Sequence, residues 1–383
     1  MTTKLITGGP VYTPAQVHQD GAVLIKDSTI RAVGPAGAFP TTDVAVTIDA
    51  GGRRIIPGLI DLHLHGFAGH DAVGPGLPEV IKALPVHGIT AFLPTSYVAP
   101  RPLLREAIQT TADILHESPP GAQVLGIHIE GPWFSPAKTG MANADLVYPL
   151  TQADVEEFHD LANGAIRMVT FAPEQGDAIE VIPWLVERGI IPAAGHTDAD
   201  YDTIHRAVAL GLNHATHTYN AMRGLHHREP GALGAVLDHD EIIAQLIADG
   251  QHVHAAAMRL LIRAKGIERV CVVSDAAPVA GLPPGEYQWE GYKLLNDGET
   301  SRLADGTLAG SVMLINQMLR VLVEKTGLAF ADALRMATRV PARLLGVRKG
   351  QLTPGYDADV VILGEDYQPL QTIIGGETVY RAL

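Results

Sequence analysis

The central part of the chain alternates short apolar runs with longer amphipathic stretches. The runs have the length and composition of buried strands, while stretches such as 101–117 and 198–211 have helical periodicity and helix-capping residues at their ends. This alternation is typical of a parallel sheet whose crossovers are helices. The apolar runs lie at 54–65, 89–96, 123–131, 166–174, 189–197, 213–220, 242–250 and 269–277. Because a (β/α)8 barrel has eight such strands, these eight runs predict that α/β fold.

The two ends of the chain follow a different pattern. Short β-rich pieces alternate there with Gly, Pro and Asp, which is typical of small antiparallel strands. We expect residues 1–52 and 350–383 to pair into one small β-sandwich domain, with the barrel formed by residues 53–349 between them. After the eighth run, the turn-rich segment 285–311 predicts a hairpin near the barrel mouth.

Composition narrows the classes of partner. The 383 residues include 46% hydrophobic and 18% charged residues, and no apolar run approaches the roughly 20 residues of a spanning helix. The start of the chain lacks the apolar core of a secretory signal, so we expect a cytoplasmic protein. A net charge of −14 repels nucleic acids and anionic membranes, and neither is an expected partner.

The single cysteine, Cys271, excludes a disulfide within the chain and fits a reducing compartment. It lies inside the eighth apolar run. We therefore predict that it is a buried small hydrophobic residue and not a reactive thiol.

Polar residues capable of binding metal or moving protons lie at the C-terminal ends of several apolar runs. Side chains from distant parts of a barrel chain meet at this rim, so their separation in sequence does not prevent them from sharing a site. The first two are two positions apart on one strand and so face the same side, where two imidazoles can bind one ion. The residues are His63, His65, Glu130, His196, His217 and Asp275.

Each member of this set also has an ordinary interpretation. An unpaired buried carboxylate is costly, so Glu130 requires a metal or another cation. Alone, His196 and His217 would each be more typical of a hydrogen-bonded core histidine. Asp275 could cap a helix, but beside an activated water it could also accept a proton and pass it to a leaving nitrogen. Because the residues occur together, we favour a metal-dependent hydrolase.

Two further histidines are expected to support the site without binding the metal. His128 shares the face of Glu130 and is interpreted as a hydrogen-bonded core residue, whereas His214 faces away from His217 and favours a structural role. The chain lacks a phosphate-binding loop, a dinucleotide-binding glycine motif, a CxxC pair and a GxSxG nucleophile motif. Hydrolysis by activated water remains the fitting chemistry.

At these residues the chain resembles the amidohydrolase superfamily and, within it, the N-acetylglucosamine-6-phosphate deacetylase family. The resemblance covers nearly the whole length, and the HxH motif alone points only to the superfamily. The segments that carry it include PGLIDLHLHG, HIEGPWFSPAKTG, AAGHTDA, ATHTYNAM, REPG, IADGQHVH and SDAAPVAG, in this order.

The resemblance implies a ligand set. Glu130, His196 and His217 would hold the main divalent ion, which is Zn, Fe, Mn or Co. His63 and His65 would hold a second ion in members with a binuclear centre, so one or two ions are expected per subunit. Asp275 would be the general acid and base.

The resemblance also implies contacts with a phosphosugar. These are expected from Asn220, Ala221 through its backbone, His252 and Arg228, with Arg228 reaching across from a neighbouring subunit of a homodimer. Taken alone, Arg228 is typical of a solvated loop cation. An acidic protein that binds a phosphate nevertheless needs a local cation, which a guanidinium supplies.

One position departs from the family pattern. Ala142 stands where the family usually has a histidine that contacts the substrate. This difference leaves N-acetylgalactosamine 6-phosphate or an N-acyl amino acid as alternative substrates. A non-catalytic barrel homologue is a remote alternative, because the chain keeps every expected metal ligand.

Overall fold

The computed structural model describes residues 2–39, 44–289 and 291–382. The N-terminal strands pair around β1, which is antiparallel to β2 and parallel to β4 and β5. The strands are β1 Thr3–Tyr12, β2 Val17–Lys26, β3 Thr29–Pro35, β4 Val46–Asp49 and β5 Arg54–Pro57.

A curled parallel sheet follows, as the alternation of apolar runs predicted. Its strands are buried on both faces, which explains why they read as continuous apolar runs. The strands of this segment are β6 Leu59–Leu64, β7 Gly66–Phe67, β8 His70–Asp71, β9 Ile89–Pro94, β10 Gln123–Val124, β11 Ile127–Glu130, β12 Ile166–Phe171, β13 Ile191–Ala194, β14 His214–Ala215, β15 Ile243–Ile247 and β16 Val270–Val273.

Strand pairing runs from one end of this sheet to the other. β6 pairs with β9, and β11 to β16 pair in sequence order, all in parallel. Isolated bridges between Thr95 and His128 and between Leu64 and Ala276 join the two groups of strands at both edges. The carboxyl ends of these parallel strands, including β10, which pairs with β9, therefore point the same way.

Helices connect and cover these strands. α3 and α5 begin at side-chain caps, where Thr151 accepts from the Asp154 amide and Asp200 accepts from the Thr203 amide at 2.8 Å. The helices are α1 Leu77–Ala83, α2 Arg101–Glu117, α3 Gln152–Leu161, α4 Ile182–Glu187, α5 Tyr201–Ala209, α6 Gly231–Asp238, α7 Ala255–Lys265, α8 Ile315–Val321, α9 Phe330–Met336 and α10 Arg339–Leu345. None of the helices in the described residues has the length and apolarity needed to cross a membrane.

The turn-rich segment after the eighth run forms the predicted hairpin. β17 Gly285–Trp289 pairs antiparallel with β18 Tyr292–Asn296, which in turn pairs with β19 Ser301–Arg302. Trp289 is buried in a small apolar cluster with Leu294. This cluster fixes the hairpin beside the carboxyl ends of the parallel strands.

The C-terminal strands join the N-terminal sheet. β20 Val360–Leu363 pairs antiparallel with β5, and β21 Pro369–Ile374 and β22 Glu377–Arg381 extend the same sheet. Its apolar face forms a separate cluster that contains Ile6, Val23, Ile55, Val360 and Ile373. Both ends of the chain therefore build one sheet.

The first apolar run is divided between the two sheets, whereas the sequence suggested one strand. Gly58 separates β5 from β6, and a Cβ atom at Gly58 would lie 2.0 Å from Thr90 Oγ1. The N-terminal sheet therefore extends to Pro57, beyond the predicted boundary at residue 52. The apolar pattern runs through this point without interruption because both strands are buried.

A buried ion pair links the end of the helical segment to the terminal sheet. Lys349 Nζ lies 2.8 Å from Asp359 Oδ2 and 2.9 Å from Asp357 Oδ2. Lys349 is 4% exposed, and the other oxygen of Asp359 accepts from the Gly375 amide at 2.9 Å. The ammonium group therefore compensates a carboxylate that has little access to water.

We expect Lys349→Met to lower the free energy of unfolding by about 3–5 kcal/mol, because it leaves the Asp359 charge buried without a partner. Chemical denaturation measures this change. Lys82→Met is the matched control, since the Lys82–Glu79 pair is largely exposed and should contribute little to stability. Equal effects of the two substitutions would contradict the assigned role of Lys349.

Candidate active site

The six predicted site residues meet at the carboxyl ends of the parallel strands. His63 lies in β6, Glu130 ends β11, and the others lie one or two residues beyond the ends of their strands. All six are buried. The structure therefore brings together residues that are more than 200 positions apart in the sequence.

Glu130 lies at the centre of this cluster and contacts two groups of histidines. Its Oε1 is 3.0 Å from His217 Nε2 and 3.5 Å from His196 Nε2. Its Oε2 is 3.2 Å from His63 Nε2 and 3.1 Å from His65 Nε2. Each oxygen of this one carboxylate thus faces the Nε2 atoms of a different pair of histidines.

Asp275 completes the second group. Its Oδ1 is 3.4 Å from His63 Nε2 and 3.1 Å from His65 Nε2. Within each group the potential donor atoms lie within 4.8 Å of one another. The first group is Glu130, His196 and His217, and the second is His63, His65 and Asp275.

Hydrogen bonds on the far side of the rings orient the histidines. His63 Nδ1 is 3.0 Å from Gln245 Oε1, His65 Nδ1 is 3.3 Å from the Thr95 carbonyl oxygen, and His196 Nδ1 is 2.8 Å from the Lys138 carbonyl oxygen. These acceptors require Nδ1–H as the donor, which directs each Nε2 into the cluster. Imidazole nitrogens and carboxylate oxygens converging in this way fit divalent metal ions.

Gln245 is a site residue that the sequence analysis missed. Its Oε1 accepts from His63 Nδ1 and also from the His217 amide at 3.2 Å, so it connects the two donor groups. The available signal was a polar residue in the middle of the apolar run 242–250. The Thr95 and Lys138 carbonyls gave no such signal because every residue has one.

The charges of the cluster favour a bound cation. Burial alone would lower the pKa of His65, but hydrogen bonds to Asp275 and Glu130 outweigh it and raise the pKa to about 10. Burial would raise the pKa of Glu130, but the surrounding imidazoles, His63 above all, hold it well below its usual value. The carboxylates of Glu130 and Asp275 are therefore both ionised and stabilised by positive charge.

The backbone turns sharply at three of the site residues. The φ angles of His196, His217 and Asp275 are 47°, 25° and 49°, in the left-handed region that non-glycine residues seldom adopt. The Phe134 ring stacks on His196 with 3.8 Å between centroids and 8° between planes. Strain of this kind persists where packing and hydrogen bonds hold it, and it is common at functional sites.

A cavity of about 220 Å³ lies above the cluster. Asn220, Ala221 and His252 line it, as does Ala142. His252 Nδ1 is 2.6 Å from Asp249 Oδ2. Burial opposes charge on this ring, but Asp249 outweighs it and raises the pKa of His252. The cavity therefore combines the cluster with a histidine that favours its cationic form.

Arg228 lies apart from these residues within the described chain. It is exposed, does not line the cavity, and has its Nη1 2.9 Å from His227 Nε2. The remaining expected contacts, Asn220, Ala221 and His252, line the same cavity.

The supporting residues agree with their expected environments. His128 Nε2 is 2.7 Å from Thr170 Oγ1 and its Nδ1 is 3.3 Å from Thr95 Oγ1, so it is a hydrogen-bonded core histidine. His214 is fully buried beneath the cluster. Cys271 is also fully buried, and burial raises the pKa of its thiol, which disfavours the reactive thiolate.

Comparison with known proteins identifies the family. Residues 54–379 match the model of the Amidohydrolase family, which is more than half of the chain. The chain belongs to the amidohydrolase family. Amidohydrolases generally use a divalent metal, which agrees with the donor groups around Glu130.

Relatives of known activity are similar over nearly their whole length. N-acetylglucosamine-6-phosphate deacetylase of Bacillus subtilis is 34% identical, with 98% of this chain and 97% of the relative covered. N-acetylgalactosamine-6-phosphate deacetylase of Escherichia coli O157:H7 is 36% identical, with 94% of each covered. A mutant N-acetyl-D-glucosamine-6-phosphate deacetylase of Mycobacterium smegmatis, solved with N-acetyl-D-glucosamine-6-phosphate, has a TM-score of 0.92 at 29% identity and covers 99% and 100% of the two chains. The resemblance seen in the sequence motifs is confirmed.

We expect purified protein to bind divalent ions, with the two donor groups depending on different residues. Glu130→Gln should weaken binding at both groups because each Glu130 oxygen faces one of them. His63→Asn combined with His65→Asn should affect only the second group. Elemental analysis after reconstitution measures the stoichiometry, with the exposed His116→Asn as control. Unchanged metal content in Glu130→Gln would contradict the shared role of this carboxylate.

Proposed function

We propose that this protein is a metal-dependent deacetylase that hydrolyses the acetamide of N-acetylglucosamine 6-phosphate to glucosamine 6-phosphate and acetate. The observation that carries this proposal is the Glu130-centred cluster, which forms one wall of a cavity that Asn220 and His252 also line. Near-full-length relatives with this activity support the same substrate.

Each donor group has a proposed role. Glu130, His196 and His217 hold the main ion, while His63 and His65 hold a second, so one or two ions bind per subunit. When bound, Zn, Fe, Mn or Co polarises the amide carbonyl and lowers the pKa of water. The Nδ1 hydrogen bonds of His63, His65 and His196 keep the rings oriented during this chemistry.

Asp275 is the proposed general base and general acid. Burial raises its pKa, but His63 and His65 outweigh this effect and lower it, so the carboxylate is ionised at neutral pH. It accepts a proton as water attacks the carbonyl carbon. It then donates that proton to the nitrogen as the C–N bond breaks, which releases the amine.

Recognition of the phosphate is assigned to residues on one side of the cavity. Asn220, the Ala221 backbone and the ring of His252, whose pKa is raised by Asp249, line that side. We propose that Arg228 of a neighbouring subunit completes it in a homodimer, because Arg228 is exposed on its own chain and a protein of net charge −14 needs local cations to bind a phosphate. The cytoplasm is the proposed location, since a phosphorylated sugar does not cross membranes unaided.

The site rests on a proposed (β/α)8 barrel. The sequential parallel pairing of the eight strands and the bridges at both edges support closure. The terminal strands form the proposed small β-sandwich. In this proposal the barrel begins after Gly58 rather than at residue 53, and the C-terminal contribution begins near residue 350.

N-acetylgalactosamine 6-phosphate is a second candidate substrate. The E. coli O157:H7 relative that carries this name is 36% identical to the chain. Ala142 lines the cavity, and the sequence resemblance implies a histidine at this position in the family. The two sugars differ only in the configuration at one hydroxyl carbon. Comparing kcat/KM for the two phosphosugars distinguishes the candidates.

We expect Asp275→Asn to keep its metal while turnover of N-acetylglucosamine 6-phosphate falls by about 10²–10⁴-fold, because the amide cannot transfer the proton. Release of the amine measures turnover, and elemental analysis measures the metal. Asp113→Asn, at an exposed position of α2, is the matched control. Near-normal turnover in Asp275→Asn would refute its catalytic role, and a wild type inactive on both phosphosugars would refute the proposed function.

We expect Arg228→Ala to raise KM for the phosphosugar about 10- to 150-fold, since losing a charge-assisted contact costs about 1.5–3 kcal/mol. The unphosphorylated sugar should be unaffected, and the exposed Arg263→Ala should change neither value. Mixing Arg228→Ala with Asp275→Asn subunits should restore activity, because some sites then combine an intact Asp275 with a partner's intact Arg228. Confirmed subunit exchange without restored activity would contradict the shared site.

A further inference from the structure

The catalytic cavity adjoins a second compartment. This outer compartment has a volume of about 590 Å³, and Ala99, Leu146 and Leu303 line it without lining the catalytic cavity. The two spaces share wall residues, which are Tyr97, Val98, Gly140, Met141, Ala142, Tyr292 and Thr307. A substrate group could therefore extend from one space into the other.

The passage between the two spaces begins beside the donor groups. A Cβ atom at Gly140 would lie 3.1 Å from His196 Cε1, so this backbone touches one of the histidines. Ala142, two residues further, adds only a methyl group to the wall. The small side chains at Gly140 and Ala142 leave space next to the point where the amide must react.

The position of the outer compartment indicates which part of a substrate would enter it. Asn220, Ala221 and His252 follow β14 and β15. They line the catalytic cavity, and they are not among the described residues that line the outer compartment. The outer compartment instead lies between the segments after β9 and β11 and the β17–β18 hairpin. In a 2-acylamino sugar 6-phosphate, C2 and C5 lie opposite each other across the ring. With the phosphate near His252, the acyl group therefore points away, towards the passage.

We propose that the outer compartment receives the acyl chain, so that the protein hydrolyses 2-acylamino sugar 6-phosphates whose linear, uncharged acyl groups are longer than acetyl. This inference rests on the proposed function and extends its substrate class. Val98, Met141 and Leu303 supply apolar contacts for methylene groups. The reaction is the same: water adds to the acyl carbon, the C–N bond breaks, and the products are a carboxylate and the amine.

Steady-state kinetics with N-acetyl- and N-butyrylglucosamine 6-phosphate test the proposal. In a closed acetyl pocket, each added methylene would cost about 10- to 200-fold in kcat/KM. We expect the wild type to hydrolyse the butyryl substrate within about tenfold of the acetyl substrate. Ala142→Leu, which narrows the passage, should reduce butyryl hydrolysis at least about tenfold more than acetyl hydrolysis.

Two further variants separate this effect from a loss of structure. Ala99→Leu adds volume at a residue that lines the outer compartment and not the catalytic cavity, and it should show the same selective loss. Ala137→Leu makes the same change at an exposed position of the loop that carries Ala142, outside both spaces, and should keep the wild-type ratio. Melting temperatures show whether each variant is folded.

The outcomes distinguish the inference from the proposed function. Acetyl hydrolysis with butyryl hydrolysis more than about 100-fold slower would overturn the inference alone. Equal losses for both substrates in Ala142→Leu and Ala99→Leu would also overturn it. Butyryl hydrolysis without acetyl hydrolysis would support the compartment and refute deacetylation. Hydrolysis of neither substrate would refute both.

Discussion

The shared carboxylate of Glu130 is the constraint on which the site depends. A buried carboxylate is costly unless positive charge surrounds it, and Glu130 meets this requirement by facing histidines through both oxygens. Those histidines come from the ends of three different strands, β6, β13 and β14, so the distances hold only if the parallel sheet curls enough to bring β6 close to β14. The fold and the charge of the site therefore constrain each other.

The residues around the cluster fix the orientation of its histidine rings. Gln245 accepts from both His63 and the His217 backbone, which couples the two donor groups through one side chain. Phe134 and the Lys138 carbonyl hold His196 from two directions. Bonds of this kind select the tautomer that directs Nε2 inwards, and they resist movement when the site gains or loses charge.

Substrate selection lies in different parts of the chain from the chemistry. The donor groups are on strand ends and form one wall of the catalytic cavity, whereas its other walls and those of the outer compartment come mainly from loops and from the β17–β18 hairpin. Loops can change without disturbing strand pairing. Ala142 is an example of such a loop residue. It shapes the cavity wall and contributes no donor atom, so the residue type at this position affects the cavity and not the donor groups.

The sequence by itself predicted the alternation of strands and helices, the short antiparallel strands at the two ends, and the polar residues at strand ends that the structure brings together around Glu130. Burial on both faces and polar residues at strand ends leave local signals. Only the tertiary structure decided how Glu130 divides its oxygens, that Gln245 joins the histidines, that Gly58 splits the first apolar run, and that a second compartment adjoins Ala142. These features are distances between segments far apart in the chain. They depend on how side chains pack around the curled sheet, and the hydrophobic periodicity of the sequence does not predict that packing.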